Sequence, residues 1–329
     1  MAAIALRSPQ YKTALADTGT PLSAKITISI DGNIEYTLVK LTSLNQNMLW
    51  EIAELCRDFI NITFNGTYTA ETLAIISTLT SHASTDGTGT ALTTDTFTDV
   101  GYDGYGTFME GDNPEVPFSN RPRWLLNTNP NSLDVYYIYV PNNTAGVLPY
   151  IAANASLNYQ SFTSSATEIN SGGGQYDVDI IRIDCTKYGY GHKITFVNKF
   201  GALQDIWFFL KSVNTTNKKQ EQFQRNIITS TGSYNVNTHT KQDYNTVANT
   251  SISLSSGYYP EWANQWFEQL LLSEQVWLTR INPFNLSDSQ VVPVNVRKSS
   301  MVKKTSLNDK LIDYTFEFDM SFDYINNIR

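Results

Sequence analysis

The chain has 329 residues, of which 41% are hydrophobic, so it is long enough to bury a sizeable core and to form two or three domains. Only 16% of its residues are charged, and the net charge is −8. Direct nucleic-acid binding is not expected, because neutralising phosphates requires clustered Lys and Arg. The chain also contains 19 Tyr and 16 Phe. Because Thr, Tyr and Phe favour strands and Asn, Ser and Gly favour turns, we predict a mainly β protein with several β-sandwich-like domains and two short helices.

The first 100 residues are predicted to form a β-rich domain with an extended N-terminal arm. The segment "KITISIDGNIEYTLVKL" alternates on both sides of Asp31-Gly32, a dipeptide typical of β-hairpin turns. A second hairpin is predicted around Asp86-Gly87. Between them, apolar residues at helical spacing predict a short helix over residues 52–60. The arm before Ala24 has too few apolar residues to fold alone, so we expect it to contact other subunits.

Residues 101–174 form a Gly-, Pro- and Tyr-rich middle region, which is a candidate for an insertion between the flanking domains. Pro114, Pro117 and Pro122 disfavour regular strand pairing there. Further along, "LDVYYIYVP" predicts a strand. The segment "NSGGGQ" is either a flexible joint or an exposed loop, and we predict a domain boundary at residue 174.

Residues 175–329 are predicted to form a C-terminal β-rich domain with one helix. Its densest apolar segment, "NKFGALQDIWFFLKS", predicts a turn at residues 199–201 and a strand with aromatic residues on both faces. Such a strand is covered on both sides, either by its own domain or by a neighbouring subunit. The predicted packing residues are Phe196, Phe200, Ile206, Trp207, Phe208, Phe209, Phe316 and Phe318.

Two further segments of the C-terminal part carry their own predictions. The polar tract of residues 214–256 is interpreted either as long solvent-facing strands or as an arm that folds against another chain. The segment "YPEWANQWFEQLLLS" predicts a helix over residues 260–273, because Pro260 suits a first turn and apolar residues follow at helical spacing.

Charge is unevenly distributed along the chain. Residues 95–115 carry six acidic side chains and no basic one, whereas "VRKSSMVKKTSLNDK" is locally basic. These stretches are either complementary surfaces between neighbouring subunits or solvated loops.

No catalytic, metal or cofactor motif stands out in the sequence, and the chain is predicted not to be an enzyme. His82, His192 and His239 lie in separate units without metal-ligand spacing. A hydrolase with paired carboxylates in the acidic run stays open, because separation in space is invisible in the sequence. Tyr102 and Tyr105 in "GYDGYG" either stack on a sugar at the surface or stabilise turns.

The two cysteines, Cys56 and Cys185, are expected to be buried free thiols, which suits assembly in a reducing cytoplasm. The N-terminus lacks the pattern of a signal peptide. No window approaches the ~18 consecutive apolar residues of a membrane-spanning helix, so no membrane span is expected.

Several stretches of the chain together resemble virion structural proteins of tailed bacteriophages, particularly those that infect Bacteroidetes hosts. They are "LRSPQYKTA", "AKITISIDGNIEYTLVK", "WEIAELCRDFINITFNGTY", "NKFGALQDIWFF" and "KKTSLNDKLIDYTFEFDMSFDYINNIR". The resemblance implies a homo-oligomeric tail or baseplate subunit, with a tail-tip ring as one position. Its partners would be other tail or baseplate proteins, and its location the virion, assembled in the host cytoplasm.

The resemblance transfers no catalytic residue and does not cover residues 101–174. Two other classes of function stay open beside it. One is a receptor-binding protein or adhesin that contacts host surface glycans through the middle region. The other is a polysaccharide depolymerase.

Overall fold

The computed structural model describes residues 2–14, 22–41, 48–111, 123–124, 136–142, 144–151, 156–163, 165–171, 174–183, 191–280, 290–297, 300–305 and 310–323. Strands account for 55% of the structure and helices for 7%, which confirms the prediction of a mainly β protein. The described residues form several sheets in β-sandwich-like domains, together with two short α-helices. Neither helix is long and apolar enough to span a bilayer.

Seven strands and one helix form the N-terminal part of the structure. They are β1 (Ala2–Ala5), β2 (Tyr11–Ala14), β3 (Ser23–Ile30), β4 (Asn33–Leu41), β5 (Met48–Glu51), α1 (Ala53–Arg57), β6 (Leu73–His82) and β7 (Ala91–Tyr102). Five strands make one sheet in the order β1-β7-β6-β3-β4, where β1 and β7 are parallel and the other neighbours are antiparallel. β2 and β5 form a separate antiparallel pair.

Both predicted hairpins of the N-terminal part are confirmed. Asp31 and Gly32 link β3 to β4 with φ of 48° and 89°, the left-handed conformations that a tight two-residue turn requires. The second hairpin joins β6 to β7 across the loop that contains Asp86 and Gly87. Alternation along β3 buries Ile26 and Ile28 completely, so that this face of the sheet forms the core.

The helix predicted over residues 52–60 is shorter in the structure, where α1 ends at Arg57. Phe59 and Ile60 continue the apolar spacing, but they and Asp58 have low helix propensity. Phe59 instead leaves the helix and packs edge-on against Tyr36, with ring centroids 6.1 Å apart. The helical spacing therefore marked the buried Ile52, Ala53 and Cys56 correctly, whereas Phe59 is 39% exposed and the helix is shorter than predicted.

The predicted N-terminal arm is, over residues 2–14, part of the chain's own fold. β1 adds to the edge of the sheet, and Ile4 and Leu6 are almost fully buried in the core. β2 pairs with β5, and Lys12 forms an ion pair with Asp99 at 2.5 Å. The premise that this segment cannot fold with its own chain is therefore wrong for residues 2–14, because few apolar residues suffice when a sheet edge is available to them, and its contact with other subunits stays a prediction.

The middle region forms two three-stranded sheets. Their strands are β8 (Arg123–Trp124), β9 (Tyr136–Pro141), β10 (Ala145–Ile151), β11 (Leu157–Thr163), β12 (Glu168–Ser171) and β13 (Gly174–Ile183). The sheet orders are β11-β10-β8 and β12-β13-β9. The strand predicted in "LDVYYIYVP" is β9, whereas Pro114, Pro117 and Pro122 lie outside the described residues.

Within the segment "NSGGGQ", Ser171 at the end of β12 pairs with Gly174 at the start of β13, and residues 172 and 173 lie outside the described residues. β13 also pairs with β9 as far as Ile183. Strand pairing of the middle region therefore continues past the boundary predicted at residue 174, while the division into domains stays a prediction. A Gly-rich run has the same composition in a linker and in a tight turn, which explains the ambiguity.

The C-terminal part is built on a seven-stranded antiparallel sheet in the order β15-β14-β19-β20-β22-β17-β16. A pair of two-residue strands, β18 and β21, lies beside it. The elements are β14 (His192–Val197), β15 (Leu203–Phe208), β16 (Ser212–Gln224), β17 (Lys241–Ser255), β18 (Tyr259–Pro260), α2 (Asn264–Leu272), β19 (Val276–Arg280), β20 (Gln290–Val296), β21 (Leu311–Ile312) and β22 (Thr315–Met320).

The predicted second helix is confirmed as α2, which follows a short 3₁₀ turn at Glu261–Ala263. It buries Trp266, Phe267 and Leu270 against one face of the seven-stranded sheet. Phe267 lies 6.2 Å from the ring of Phe208 on β15 and 6.0 Å from that of Phe316 on β22. The helix therefore closes the aromatic core of the C-terminal part.

The aromatic segment predicted to be covered on both sides is covered by its own chain. Ile206 and Phe208 are 1% exposed on the face that α2 closes, and Trp207 is 6% exposed on the opposite face, where middle-region residues such as Leu148 pack. Phe209 lies just after the end of β15 and is also buried. The other predicted packing residues, Phe196, Phe316 and Phe318, are fully buried, whereas Phe200 lies half-buried in the turn after β14.

Candidate interaction surfaces

A long two-stranded arm projects from the seven-stranded sheet. In β17, Ser251–Ser255 pair with β22, whereas Lys241–Thr250 pair, among the described residues, with β16 alone. Every residue of β16 is exposed. We call residues 216–250 the arm. At about 3.4 Å per residue, its nine residues on β16, 216–224, extend roughly 30 Å beyond the sheet. The polar tract therefore forms long solvent-facing strands, as the first interpretation predicted, whereas its folding against another chain stays a prediction.

Few contacts hold the arm in its conformation. A register shift between Lys219 and Glu221 marks a β-bulge. Beyond it, Phe223 and Tyr244 pack edge to face with ring centroids 5.6 Å apart, although both side chains stay more than 40% exposed. An isolated two-stranded hairpin is marginally stable in water, because one face cannot bury enough apolar area. The arm therefore buries little apolar area of its own beyond the bulge.

The tip of the arm exposes apolar side chains. A hydrogen bond from the Thr229 amide to the Ser233 carbonyl closes a turn there at 2.8 Å. Ile228, Tyr234 and Val236 nearby are 61%, 64% and 82% exposed. Apolar groups clustered on an extended polar element are typical of a contact surface.

A second candidate surface is the edge of the N-terminal sheet at β4, which is free of a further partner strand among the residues that the structure describes. Eight of its nine residues are exposed, and the apolar side chains of Ile34, Val39 and Leu41 are among them. Lys40 folds back over the ring of Trp50, so the edge keeps one outward charge, that of Glu35. An exposed apolar edge strand offers unpaired backbone groups and is prone to pair with another chain.

The oppositely charged stretches noted in the sequence make their ion pairs inside the chain. Most acidic side chains described in residues 95–111 face a basic group of the same chain, and so do the basic side chains described near the C-terminus. The charges described in these stretches are thus engaged within the chain, and complementary surfaces between subunits stay a prediction. The pairs are Lys12–Asp99, Arg57–Asp103, Lys199–Glu110, Arg297–Asp319, Lys303–Glu268 and Lys304–Asp313.

The Gly-rich segment "GYDGYG" is locked against the turn that follows β14. The Tyr105 amide donates a hydrogen bond to the Lys199 carbonyl at 2.9 Å. A Cβ atom at Gly104 would lie 2.6 Å from that same carbonyl oxygen, and one at Gly201 would lie 2.8 Å from the Asp103 nitrogen. Both glycines are therefore required for the close approach of two backbones. The segment joins the N-terminal and C-terminal parts.

Tyr102 and Tyr105, the predicted surface contacts, lie inside this junction. Tyr102 is 4% exposed, and Tyr105 is half-buried beneath the guanidinium of Arg7, 5.1 Å from its ring centre. Burial raises the pKa of each phenol to about 12. A sugar cannot stack on these rings while the junction is closed. The turn-stabilising alternative agrees with these positions.

An ionic cluster completes the junction. Arg57 lies 3.4 Å from Asp103 and 2.5 Å from Glu274, and Arg7 lies 3.1 Å from Glu274. Burial raises the pKa of the Asp103 carboxyl, although Arg7 and Arg57 oppose this effect. The cluster ties together three segments: the one after β1, helix α1, and the one after α2. Its role is therefore structural.

Acid is expected to weaken the junction through Glu110. Burial disfavours its charge, but hydrogen bonds from Lys199 and from Thr107 outweigh burial and lower the pKa of Glu110 to about 2. Because this carboxyl has a lower pKa when folded, its stabilisation is present above about pH 4.5 and is lost as the pH falls towards 2.

The Glu110→Gln variant tests this expectation. At pH 7 it should lose about 1.5–3 kcal/mol of unfolding free energy, as for a hydrogen bond to a charged group. The difference from the wild type, measured by urea unfolding, should disappear near pH 2. Asp58→Asn, at an exposed position, is the control. A constant difference across this pH range would contradict the assignment.

The lone carboxylate of the aromatic segment, Asp205, belongs to a buried polar network. It accepts hydrogen bonds from Tyr68 at 2.5 Å and from Thr195 at 2.6 Å, while Lys193 donates to the Tyr68 hydroxyl at 2.8 Å. Burial, followed by the charge of Asp205, raises the pKa of Tyr68 well above its usual range. These partners satisfy one another, as in networks that fix a unique packing. The network attaches the segment after α1 to the C-terminal sheet.

The three histidines lie in different parts of the structure. His82 is buried and hydrogen-bonded to Thr80, His192 lies on β14, and His239 is exposed near the arm tip. In the part of the chain that the structure describes, no group of three or more His, Cys, Asp or Glu side chains is placed to hold a metal ion. Cys56 is a buried free thiol, whose pKa burial raises to about 12, and Cys185 lies outside the described residues.

No family model, no curated protein and no solved structure matches this chain. The surfaces described above therefore have to be interpreted from their own geometry. Sequence reasoning identified the polar tract but missed the β4 edge. Its signal was present in the return strand of the first hairpin, where Val39 and Leu41 are apolar residues outside the alternation of Tyr36, Leu38 and Lys40.

Proposed function

We propose that this chain is a virion structural protein of a tailed bacteriophage, a repeated subunit of the tail or baseplate that acts through self-assembly. A ring at the tail tip is one such position. On this proposal the protein is located in the virion, is assembled in the host cytoplasm, and contacts copies of itself and other tail or baseplate proteins.

The observation that carries the proposal is the arm. It extends roughly 30 Å from the sheet, at about 3.4 Å per residue, and has few contacts of its own. An element of this kind gains a fixed structure when it lies on another chain, because its backbone groups and exposed apolar side chains are then covered. The sequence resemblance to tail and baseplate proteins agrees with such a role.

The two other classes of function have less support. The adhesin alternative relied on stacking surfaces in the Gly-, Pro- and Tyr-rich middle region, where Tyr102 is buried and Tyr105 is half-buried in the junction. The depolymerase alternative relied on the acidic run, where Asp99, Asp103 and Glu110 each face a cation of the same chain. Catalytic carboxylates need a substrate cleft between them, and ion-paired junction residues do not offer one.

Removing the arm is expected to prevent assembly without unfolding the protein. Thr216 and Thr250 lie opposite each other, so residues 217–249 can be replaced by Asn-Gly, which closes a two-residue hairpin. The purified full chain should form discrete oligomers in analytical ultracentrifugation and electron microscopy. The shortened chain should be monomeric and should keep its unfolding midpoint, because the deleted residues contribute little to the core.

Three outcomes would contradict the proposal. If the full chain stays monomeric at every concentration, the chain does not act through self-assembly. If the shortened chain still assembles normally, the arm does not mediate the assembly. At the level of the particle, a structural subunit has a fixed copy number by quantitative mass spectrometry. A protein that can be removed while tails still assemble, and that binds host glycans, would instead be an adhesin.

A further inference from the structure

We infer that β16 of one subunit pairs with the free edge of β4 in the next subunit, so that the arm of one copy extends the N-terminal sheet of its neighbour. The inference rests on the proposed self-assembly and names the two surfaces that meet. Its occupant is a second copy of this chain.

Each of the two edges has backbone hydrogen-bonding groups that the other edge can pair with. β16 offers 13 exposed, mostly polar residues, whose outer edge has no partner strand among the described residues. β4 offers an equally free edge with exposed apolar side chains. Joining them pairs both rows of backbone groups and covers Val39 and Leu41, which neither edge can do within one copy.

Charge favours this pairing over the pairing of like edges. The arm carries four cationic and two anionic side chains, while the whole chain has a net charge of −8. Two arms would repel each other, because each has an excess of positive charge. When Glu35 lies opposite Lys219, opposite charges meet at the centre of the contact. Glu35 can lie opposite Lys219 whether the two strands run antiparallel or parallel.

The pairing of two different edges has a consequence for symmetry. Each copy donates one arm and accepts one. When these two contacts are made with two different neighbours, the contact is heterologous and generates a closed ring if the rotation closes and a filament if it does not. When two copies exchange arms with each other, the same strand pairing gives a twofold dimer.

Cysteine cross-linking tests which edges meet. Thr37→Cys on β4 and Asn217→Cys on β16 are made separately, each with Cys185→Ser, and the two full-length proteins are mixed and oxidised. The buried Cys56, whose thiol pKa is about 12, should stay unreactive. We expect a cross-linked dimer in the mixture and in neither protein alone. If the strands are parallel, Glu221→Cys replaces Asn217→Cys as the reactive partner.

Charge reversal gives an independent readout. Glu35→Lys and Lys219→Glu should each weaken self-association about five- to tenfold, and the double variant should restore it. Lys241→Glu, on the other strand of the arm, is the control and should change little.

The outcomes separate this inference from the proposed function. Cross-linking of Thr37→Cys with itself, or assembly without any cross-link in the mixture, would overturn the β4–β16 contact while self-assembly stands. A double charge variant that is weaker than both single variants would do the same. If the wild-type chain does not associate at all, both the β4–β16 contact and the proposed self-assembly are contradicted.

Discussion

Replacing Phe208 by Ala is expected to yield protein that is unfolded or aggregates. The Phe208 ring is 1% exposed and packs edge-on against three other rings, with centroids 5.8–6.2 Å away. Truncating a buried Phe in this way costs about 3–5 kcal/mol, which is a large part of the roughly 5–15 kcal/mol that stabilises a typical domain. Solubility and the urea midpoint measure the effect. The partner rings are Phe267, Phe316 and Phe318.

Phe223→Ala provides the matched control for this substitution. Phe223 is 42% exposed on the arm and packs against Tyr244 alone among the ring contacts described. Its loss should cost less than about 1.5 kcal/mol of stability, the range for one aromatic pair. A Phe208→Ala protein that is soluble, melts normally and has only lost binding to host cells would contradict the packing role and favour the adhesin.

The fold was largely predictable because it follows local rules. The alternation of Ile26, Ile28 and Ile30 and the Asp31-Gly32 turn are complete within one segment, so a sequence contains everything that forms this hairpin. The same holds for α2, whose apolar spacing and preceding Pro260 are adjacent in sequence. Where one pattern serves two structures, as in "NSGGGQ", composition alone was ambiguous.

The candidate surfaces were less predictable because they depend on what lies next to them. Tyr102 occurs in a Gly-rich segment that has the composition of a surface loop, and the reason for its burial is a turn nearly 100 residues away in sequence. The parallel pairing of β1 with β7 is equally remote. β4 is exposed because it is the last strand of its sheet. The order of strands in a sheet cannot be inferred from the sequence of one strand.

The junction between the N-terminal and C-terminal parts can be tested at two glycines with nearly identical backbones. Gly201 has φ of 76° and Gly232 has φ of 77°. Ala at either position costs about 1–2 kcal/mol for the left-handed conformation. At Gly232 the added Cβ meets no atom within 4 Å, whereas at Gly201 it would lie 2.8 Å from the backbone nitrogen of Asp103.

Gly201→Ala should therefore destabilise the protein by about 1–3 kcal/mol more than Gly232→Ala, because backbone atoms cannot move aside unless the junction opens. Urea unfolding of both variants measures the difference. Gly104→Ala should destabilise the protein through the clash of its Cβ with the Lys199 carbonyl oxygen alone. It should not add the cost of a left-handed backbone, because the φ of Gly104 is not positive. If Gly201→Ala and Gly232→Ala cost the same, "GYDGYG" leaves the junction freely. Tyr102 and Tyr105 would then be available at the surface after all.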